Sequence, residues 1–259
     1  MKSLGFQTDL LLLELSGSSV QDTGEYVVVR TPANPGFWWG NFLLYRTNFG
    51  PGDAQRRIED FRREFPDAQH VALGIDSTDG EIGAVEEVAA AGFDIGRDVV
   101  MTADHVVPPP HPNEQATYRF LSSDEDWEQV YRLSLACAEL EVDAAYEDFT
   151  RRNLLRQRAL VEVGHGSWFG AFDGDRLQSS LGLMFDGNGL ARFQSVQTFP
   201  DDRGQGLAGT LVHHASMYGL TRAKTLVMVA DPDYLAIRIY RNVGFSDTET
   251  QLQLTLRPA

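Results

Sequence analysis

A glycine-rich segment between a strand and a helix does most to narrow what this chain can fold into. It reads Gln197-Thr-Phe-Pro-Asp-Asp-Arg-Gly-Gln-Gly-Leu-Ala-Gly-Thr. Residues 190–198 ahead of it read as a strand, and Leu207, Leu211, Ala215 and Tyr218 recur behind it at helical spacing. Gly204, Gly206 and Gly209 remove side chains where the backbone enters that helix. The first amides of a helix lack an intrahelical partner, and its dipole is positive at that end. The segment therefore predicts an anion site suited to a diphosphate. A bulky side chain at Gly206 is expected to fill the space such a group needs. Glycines in a turn can also serve sterics alone. The Lys and Ser/Thr that close a P-loop are missing after the last glycine, which argues against that kind of nucleotide site.

The chain has 259 residues, which predicts two domains. Residues 108–114, Pro-Pro-Pro-His-Pro-Asn-Glu, form a stiff run poor in backbone donors and read as an interdomain linker. The expected division is residues 1–107, linker 108–114 and residues 115–259. In the second part, Thr117-Tyr-Arg-Phe-Leu reads as a short strand. Ser123 caps an acidic first turn, after which Trp127, Val130, Tyr131, Leu135 and Ala138 recur as in a helix. A second helix is expected over about 143–163. Ser167 to Phe172 and Leu177 to Phe185 flank an Asp173-Gly174-Asp175 turn, as in a hairpin. Strand 190–198, helix 206–219, strand 225–230, helix 233–242 and final strands over 245–256 follow. This is an α/β pattern with an antiparallel first half.

The first part carries an echo of the second. Gln69-His-Val-Ala-Leu-Gly-Ile-Asp resembles Lys224-Thr-Leu-Val-Met-Val-Ala-Asp, and a helical stretch ending in Gly-Phe follows each, at Gly92-Phe93 and Gly244-Phe245. Two related domains are expected, the first truncated. Its counterpart to the glycine-rich loop would be Asn48-Phe-Gly-Pro-Gly-Asp. Pro51 has no amide there and Asp53 would repel phosphate, so one anion site per chain is expected. Phe37, Trp38, Trp39 and Phe42 cluster nearby; alternation along a strand would put Phe37 and Trp39 on one face and Trp38 on the other. They read as core, with a substrate wall as the other possibility.

A net charge of −15 argues against nucleic acid and would draw a cationic partner such as an amine, besides keeping the protein soluble. The single cysteine, Cys137, cannot form an internal disulfide, and it lies near neither motif in sequence. The apolar run Leu10 to Leu13 is too short for a signal peptide, and no segment approaches the length of a membrane span. A cytoplasmic protein is expected, monomeric or homodimeric, with no membrane partner.

Arg203-Gly-Gln-Gly-Leu-Ala resembles the R/Q-x-x-G-x-G/A coenzyme A loop of the GNAT superfamily of N-acetyltransferases. Downstream, Ala236-Ile-Arg-Ile-Tyr-Arg-Asn-Val-Gly-Phe resembles that family's A-I-x-x-Y-x-x-x-G-F segment, in the right order and one strand later. The resemblance covers about residues 116–257. It implies a mixed α/β acyl-CoA N-acyltransferase fold, a central mixed sheet flanked by helices. It also implies acetyl-CoA as cosubstrate, no metal, and direct acetyl transfer to an amine. Main-chain groups of Val196 and Thr198, on either side of Gln197, would meet the pantetheine arm. The amides of Gly204, Gln205, Gly206, Leu207, Ala208, Gly209 and Thr210, with Arg203 ahead of them, would cradle the diphosphate. Tyr240 falls at the family's general-acid position, where a phenol can protonate a departing thiolate; a core aromatic is the plainer reading.

Two positions depart from the pattern. Asp233 stands where the family often has Asn, and an ionised Asp accepts a hydrogen bond but donates none. The strand Leu190-Ala-Arg-Phe-Gln-Ser-Val-Gln carries no carboxylate to serve as base. Water leading to a remote Asp or Glu would take the amine's proton. His165, His213 and His214 are further candidates that read better as structural. Adjacent His213 and His214 point about 100° apart on a helix, so they make no metal pair. The missing carboxylate leaves open a coenzyme A-binding module without turnover, and a partner-binding protein using only the fold is a third reading.

Overall fold

The computed structural model describes residues 1–138, 141–234 and 236–257. In chain order the elements are α1 (Leu4–Leu15), β1 (Ser19–Asp22), β2 (Tyr26–Arg30), β3 (Phe42–Tyr45), α2 (Asp53–Glu64), β4 (Val71–Ile75), α3 (Val85–Ala90) and β5 (Asp94–Ala103). There follow β6 (Thr117–Phe120), α4 (Asp124–Ala136), α5 (Ala144–Glu162), β7 (Gly166–Asp173), β8 (Arg176–Phe185) and β9 (Leu190–Thr198). The chain ends with α6 (Leu207–Gly219), β10 (Thr225–Ala230), α7 (Ala236–Val243) and β11 (Ser246–Leu256). Two compact units result. The first comprises residues 1–100 and 248–259, the second residues 101–247.

In the first unit the strands run β1-β2-β3-β4-β11-β5. β3 and β4 are parallel, as the helical crossover between them requires, and β1 with β2, β2 with β3 and β4 with β11 are antiparallel. β2 and β4 read Tyr-Val-Val-Val-Arg and Val-Ala-Leu-Gly-Ile, near-continuous apolar runs, and both are buried almost throughout. α1 packs Phe6, Leu10 and Leu13 into this core, so the apolar run at 10–13 belongs to a buried helix. Trp38 and Trp39 lie in a 3₁₀ turn rather than on a strand. With Phe37 they pack on the core, Trp38 stacked on the buried His70 ring at 5.0 Å. Asn41 fixes this loop: it accepts from Thr31 N and donates to the carbonyls of Asn34 and Phe37.

In the second unit β6, β7, β8 and β9 form an antiparallel meander, and β10 adds in parallel beside β9. Ser123 caps α4 through a capping box with Asp126, and Asp143 caps α5. Trp168, Phe172, Leu177, Leu181, Leu211, Leu226 and Val243 are fully buried between sheet and helices.

Both ends of the expected division change. The first unit closes after Val100, ahead of residue 107, and the expected final strands are one strand, β11, assigned mostly to the first unit. Its Leu252 and Leu254 are completely buried and pair with Ile75 and Leu73. The pattern of that strand shows burial but not which sheet supplies it, so sequence order suggested the wrong neighbour. Residues 108–114 lie inside the second unit and pack on the glycine-rich loop, a role that prolines' stiffness serves as well as a linker. A fragment of residues 1–107 lacks the strand between β4 and β5. It should show no cooperative urea transition by circular dichroism, and the same fragment with residues 248–257 appended should show one.

Candidate functional site

Two features of β9 open a site at its end. Its ladder with β10 pairs Leu190 with Thr225, Ala191 with Leu226 and Arg192 with Val227. Beyond these, among the described residues, the strands run on without pairing with one another. Second, the ladder to β8 shifts: Gly182 faces Gln194, but Ser180 faces Gln197, so β9 carries an extra residue. The bulge centres on Ser195, the one non-glycine residue among those described with positive φ, at 48°. A left-handed serine costs about 1–2 kcal/mol, and such strain tends to sit where backbone is re-aimed for function. Nothing in the alternation of the sequence announced it.

At the open end lies a cavity of about 690 Å³. Of the residues expected to hold a coenzyme, Val196, Gln197, Thr198, Arg203, Gly204, Gly206, Leu207, Ala208, Gly209 and Tyr240 line it. Gln205, Thr210 and Asp233 do not. The Gln205 carbonyl accepts from Asn113 Nδ2, and the Thr210 hydroxyl donates to the Gly206 carbonyl. Asp233 is exposed in a turn held by its own amide on Asp231. Asn242, which sequence reading passed over, joins the wall from α7.

The amides of residues 204–209 donate to no partner among the described residues; the flanking amides of Arg203 and Thr210 bond to Pro200 and Gly206. Gly206 is the N-cap of α6, in the left-handed region with no side-chain cap. This donor array at a helix N-terminus suits a diphosphate, so the residues present fit the coenzyme the sequence implied. The reason for Gly206 differs from the one expected. A Cβ there would lie 2.3 Å from the His111 carbonyl oxygen, so the glycine serves the approach of residues 109–113. A Cβ on Gly204 would meet nothing within 4 Å.

The first unit repeats the arrangement with a different outcome. β3, a glycine turn, α2 and the parallel β4 follow in the same order as β9, loop, α6 and β10. Gly52 caps α2 with φ 82° and ψ −5°, nearly the values of Gly206, 79° and 0°. Here, however, the chain supplies its own anion. Glu87 accepts from Gly52 N at 2.9 Å and Ala54 N at 3.1 Å, and Asp53 accepts from Gly50 N. Arg57, fully buried between the rings of Tyr45 and Phe49 at 4.1 Å from each, clamps the same turn through Thr47, Asn48 and Asp53.

Tyr240 sits on the buried face of α7, 6% exposed, and its hydroxyl has no hydrogen-bond partner among the described residues. Burial, reinforced by Tyr234, holds its phenol well above the ordinary tyrosine value, so it keeps its proton at physiological pH. Asp202 is the one carboxylate on the described cavity wall. Its bidentate pair with Arg176 is the main reason its pKa is lowered, and Gln178 donates to it as well. A carboxylate so held is a poor base. His165, His213 and His214 are not on the wall; His214 stacks on Tyr118 at 4.8 Å. Among the described residues no group of three or more His, Cys, Asp or Glu could hold a metal.

Cys137, distant from both motifs in sequence, is close in space. At the C-cap of α4 it lines the cavity, with Sγ 3.4 Å from the Thr198 carbonyl and 3.6 Å from Arg203 Nη2. The Arg203 side chain thus folds back on the end of β9.

No protein-family model and no curated protein matches the sequence. Solved structures do match. A conserved protein of unknown function from Staphylococcus epidermidis superposes with a TM-score of 0.74 at 11% identity, over 94% of this chain and 95% of its own. A GCN5-related N-acetyltransferase from Kribbella flavida matches with a TM-score of 0.66 at 16% identity, over 100% and 97%. This chain has the GNAT fold. A tandem GNAT protein from the clavulanic acid biosynthesis pathway matches with a TM-score of 0.56 at 14% identity, over 100% of this chain and 97% of its own. The GNAT likeness therefore spans both units. No helix among the described residues is long and apolar enough to cross a membrane.

The two loop glycines separate under substitution. Gly204→Ala carries only the left-handed cost of about 1 kcal/mol. Gly206→Ala adds the collision with His111 and should cost on the order of 3 kcal/mol in urea unfolding.

Proposed function

We propose that the second unit transfers the acetyl group of acetyl-CoA to an amine. The observation that carries this reading is the run of six unpartnered amides at the entrance to α6, beside two diverging parallel strands. The loop amides would bind the diphosphate. Val196, Gln197 and Thr198 would offer main-chain groups along the pantetheine arm, where β9 has no ladder partner in β10. When bound, acetyl-CoA supplies an activated thioester. Tyr240 holds a proton at its hydroxyl for the departing sulfur, and burial keeps that proton in place. The net charge of −15 favours approach of a cationic acceptor. Purified protein with acetyl-CoA and a panel of amines should release free thiol with at least one of them.

A second reading, a coenzyme A-binding module without turnover, is favoured by one observation: the described cavity wall holds no carboxylate free to act as base. If acetyl-CoA binds and no amine releases thiol, this reading takes over.

Tyr240→Phe should lower turnover by roughly 10²-fold and leave coenzyme affinity unchanged, as for loss of a general acid. The pH profile separates proton donor from base. Only a neutral amine attacks, so kcat/KM should rise with pH and level off at the pKa of the base or, without one, of the amine near 10. Because burial raises the phenol's pKa, no alkaline fall from Tyr240 should appear before pH exceeds the ordinary tyrosine value of about 10.

A further inference from the structure

Residues 109–113 cross the glycine-rich loop as a strap. Pro109 would lie 3.3 Å from a Cβ on Gly209, and the His111 carbonyl closes on Gly206. Pro109, Pro110 and His111 line the cavity. Asn113 ties the strap to the loop by two routes. Its amide donates to Thr210 Oγ1 at 2.8 Å, and that hydroxyl donates to the Gly206 carbonyl at 3.0 Å. Its Nδ2 donates to the Gln205 carbonyl at 3.0 Å. The Asn113 side-chain oxygen accepts from the amides of Gln115 and Ala116, and its carbonyl accepts from Tyr118 Oη. All these atoms belong to the second unit.

A trans peptide is planar, with N–H and C=O pointing opposite ways. The Gln205 carbonyl shares a peptide plane with the Gly206 amide, and the Gly206 carbonyl shares one with the Leu207 amide. Drawing both carbonyls toward Asn113 and Thr210 therefore turns the Gly206 and Leu207 amides away from them. Those two amides belong to the unpartnered set, on residues that line the cavity. Left to itself, a glycine-rich turn can rotate such peptides at little cost.

We infer that Asn113 is a positioning residue for the coenzyme loop, and that the strap acts on recognition of the diphosphate rather than on the acyl end. This rests on the reading of the second unit as an acetyl-CoA site. Asn113→Asp keeps the oxygen that bonds Gln115 and Ala116, so the strap's own turn survives. It replaces the donor to Gln205 with an acceptor. Asn113→Ala removes the same donor without adding charge.

The test compares acetyl-CoA with acetyl-pantetheine, which has the thioester but no diphosphate. Calorimetry with coenzyme A and steady-state kinetics with both donors are measured for each form. Both variants should bind coenzyme A about tenfold more weakly, the worth of one net hydrogen bond of about 1.4 kcal/mol. The loss should fall on KM for acetyl-CoA and not on kcat, and kcat/KM with acetyl-pantetheine should stay as in the parent. If the parent binds no coenzyme A, the acetyl-CoA reading itself fails. If the parent binds and both variants match it, Asn113 does not position the loop. Equal losses with both donors would mean general damage to the cavity, which also overturns the assignment.

Discussion

A helix begins with amides that its own ladder cannot satisfy, and in this protein two helices entered through left-handed glycines meet that constraint differently. At α2 the chain answers with its own carboxylates: Glu87 reaches Gly52 and Ala54, and Asp53 reaches Gly50. At α6 no such group arrives, and the amides of residues 204–209 stay without a partner among the described residues. A carboxylate at a helix start contributes about 0.3–1 kcal/mol when exposed, and more when partly buried. The first unit takes that gain within the folded chain. In the second unit no carboxylate of the described residues takes that place, and this difference separates the two halves of a repeated architecture.

The rest of the second unit is arranged around that end of α6. The bulge at Ser195 and the short β9–β10 ladder leave the end of β9 without its parallel neighbour. α7 brings Tyr240 to the cavity wall while keeping the residue buried, which favours the neutral phenol. Asp202 lies on the wall, but Arg176 and Gln178 hold it as a structural anion. Cys137 and Arg203 close over the end of β9, joining α4 to the same region.

Much of this was legible in the sequence where local chemistry decides. Ser123 ahead of an acidic turn marked the start of α4, the Asp173-Gly174 turn marked a hairpin, and the Gly-Phe pairs marked the ends of α3 and α7. The glycine pattern from Gly204 to Gly209 located the loop because backbone conformation there depends on missing side chains. What stayed hidden depends on contacts distant in sequence. Periodicity shows that Leu252 and Leu254 are buried, but only pairing with β4 shows in which unit. Prolines 108–110 encode stiffness without saying what they lie against, so a strap read as a linker. Glu87, Cys137 and Asn113 reach these partners across 33 to 97 positions of chain, from Glu87 with Ala54 to Asn113 with Thr210, and no motif spans such a gap.

The most direct measurement is a titration of ¹⁵N-labelled protein with coenzyme A, followed by amide shifts. The account predicts one equivalent bound per chain, with large shifts at residues 204–209 and none at Gly52 or Ala54, whose amides Glu87 already holds. Shifts at Gly52 and Ala54 comparable to those of the loop, or saturation that leaves residues 204–209 unmoved, would contradict it.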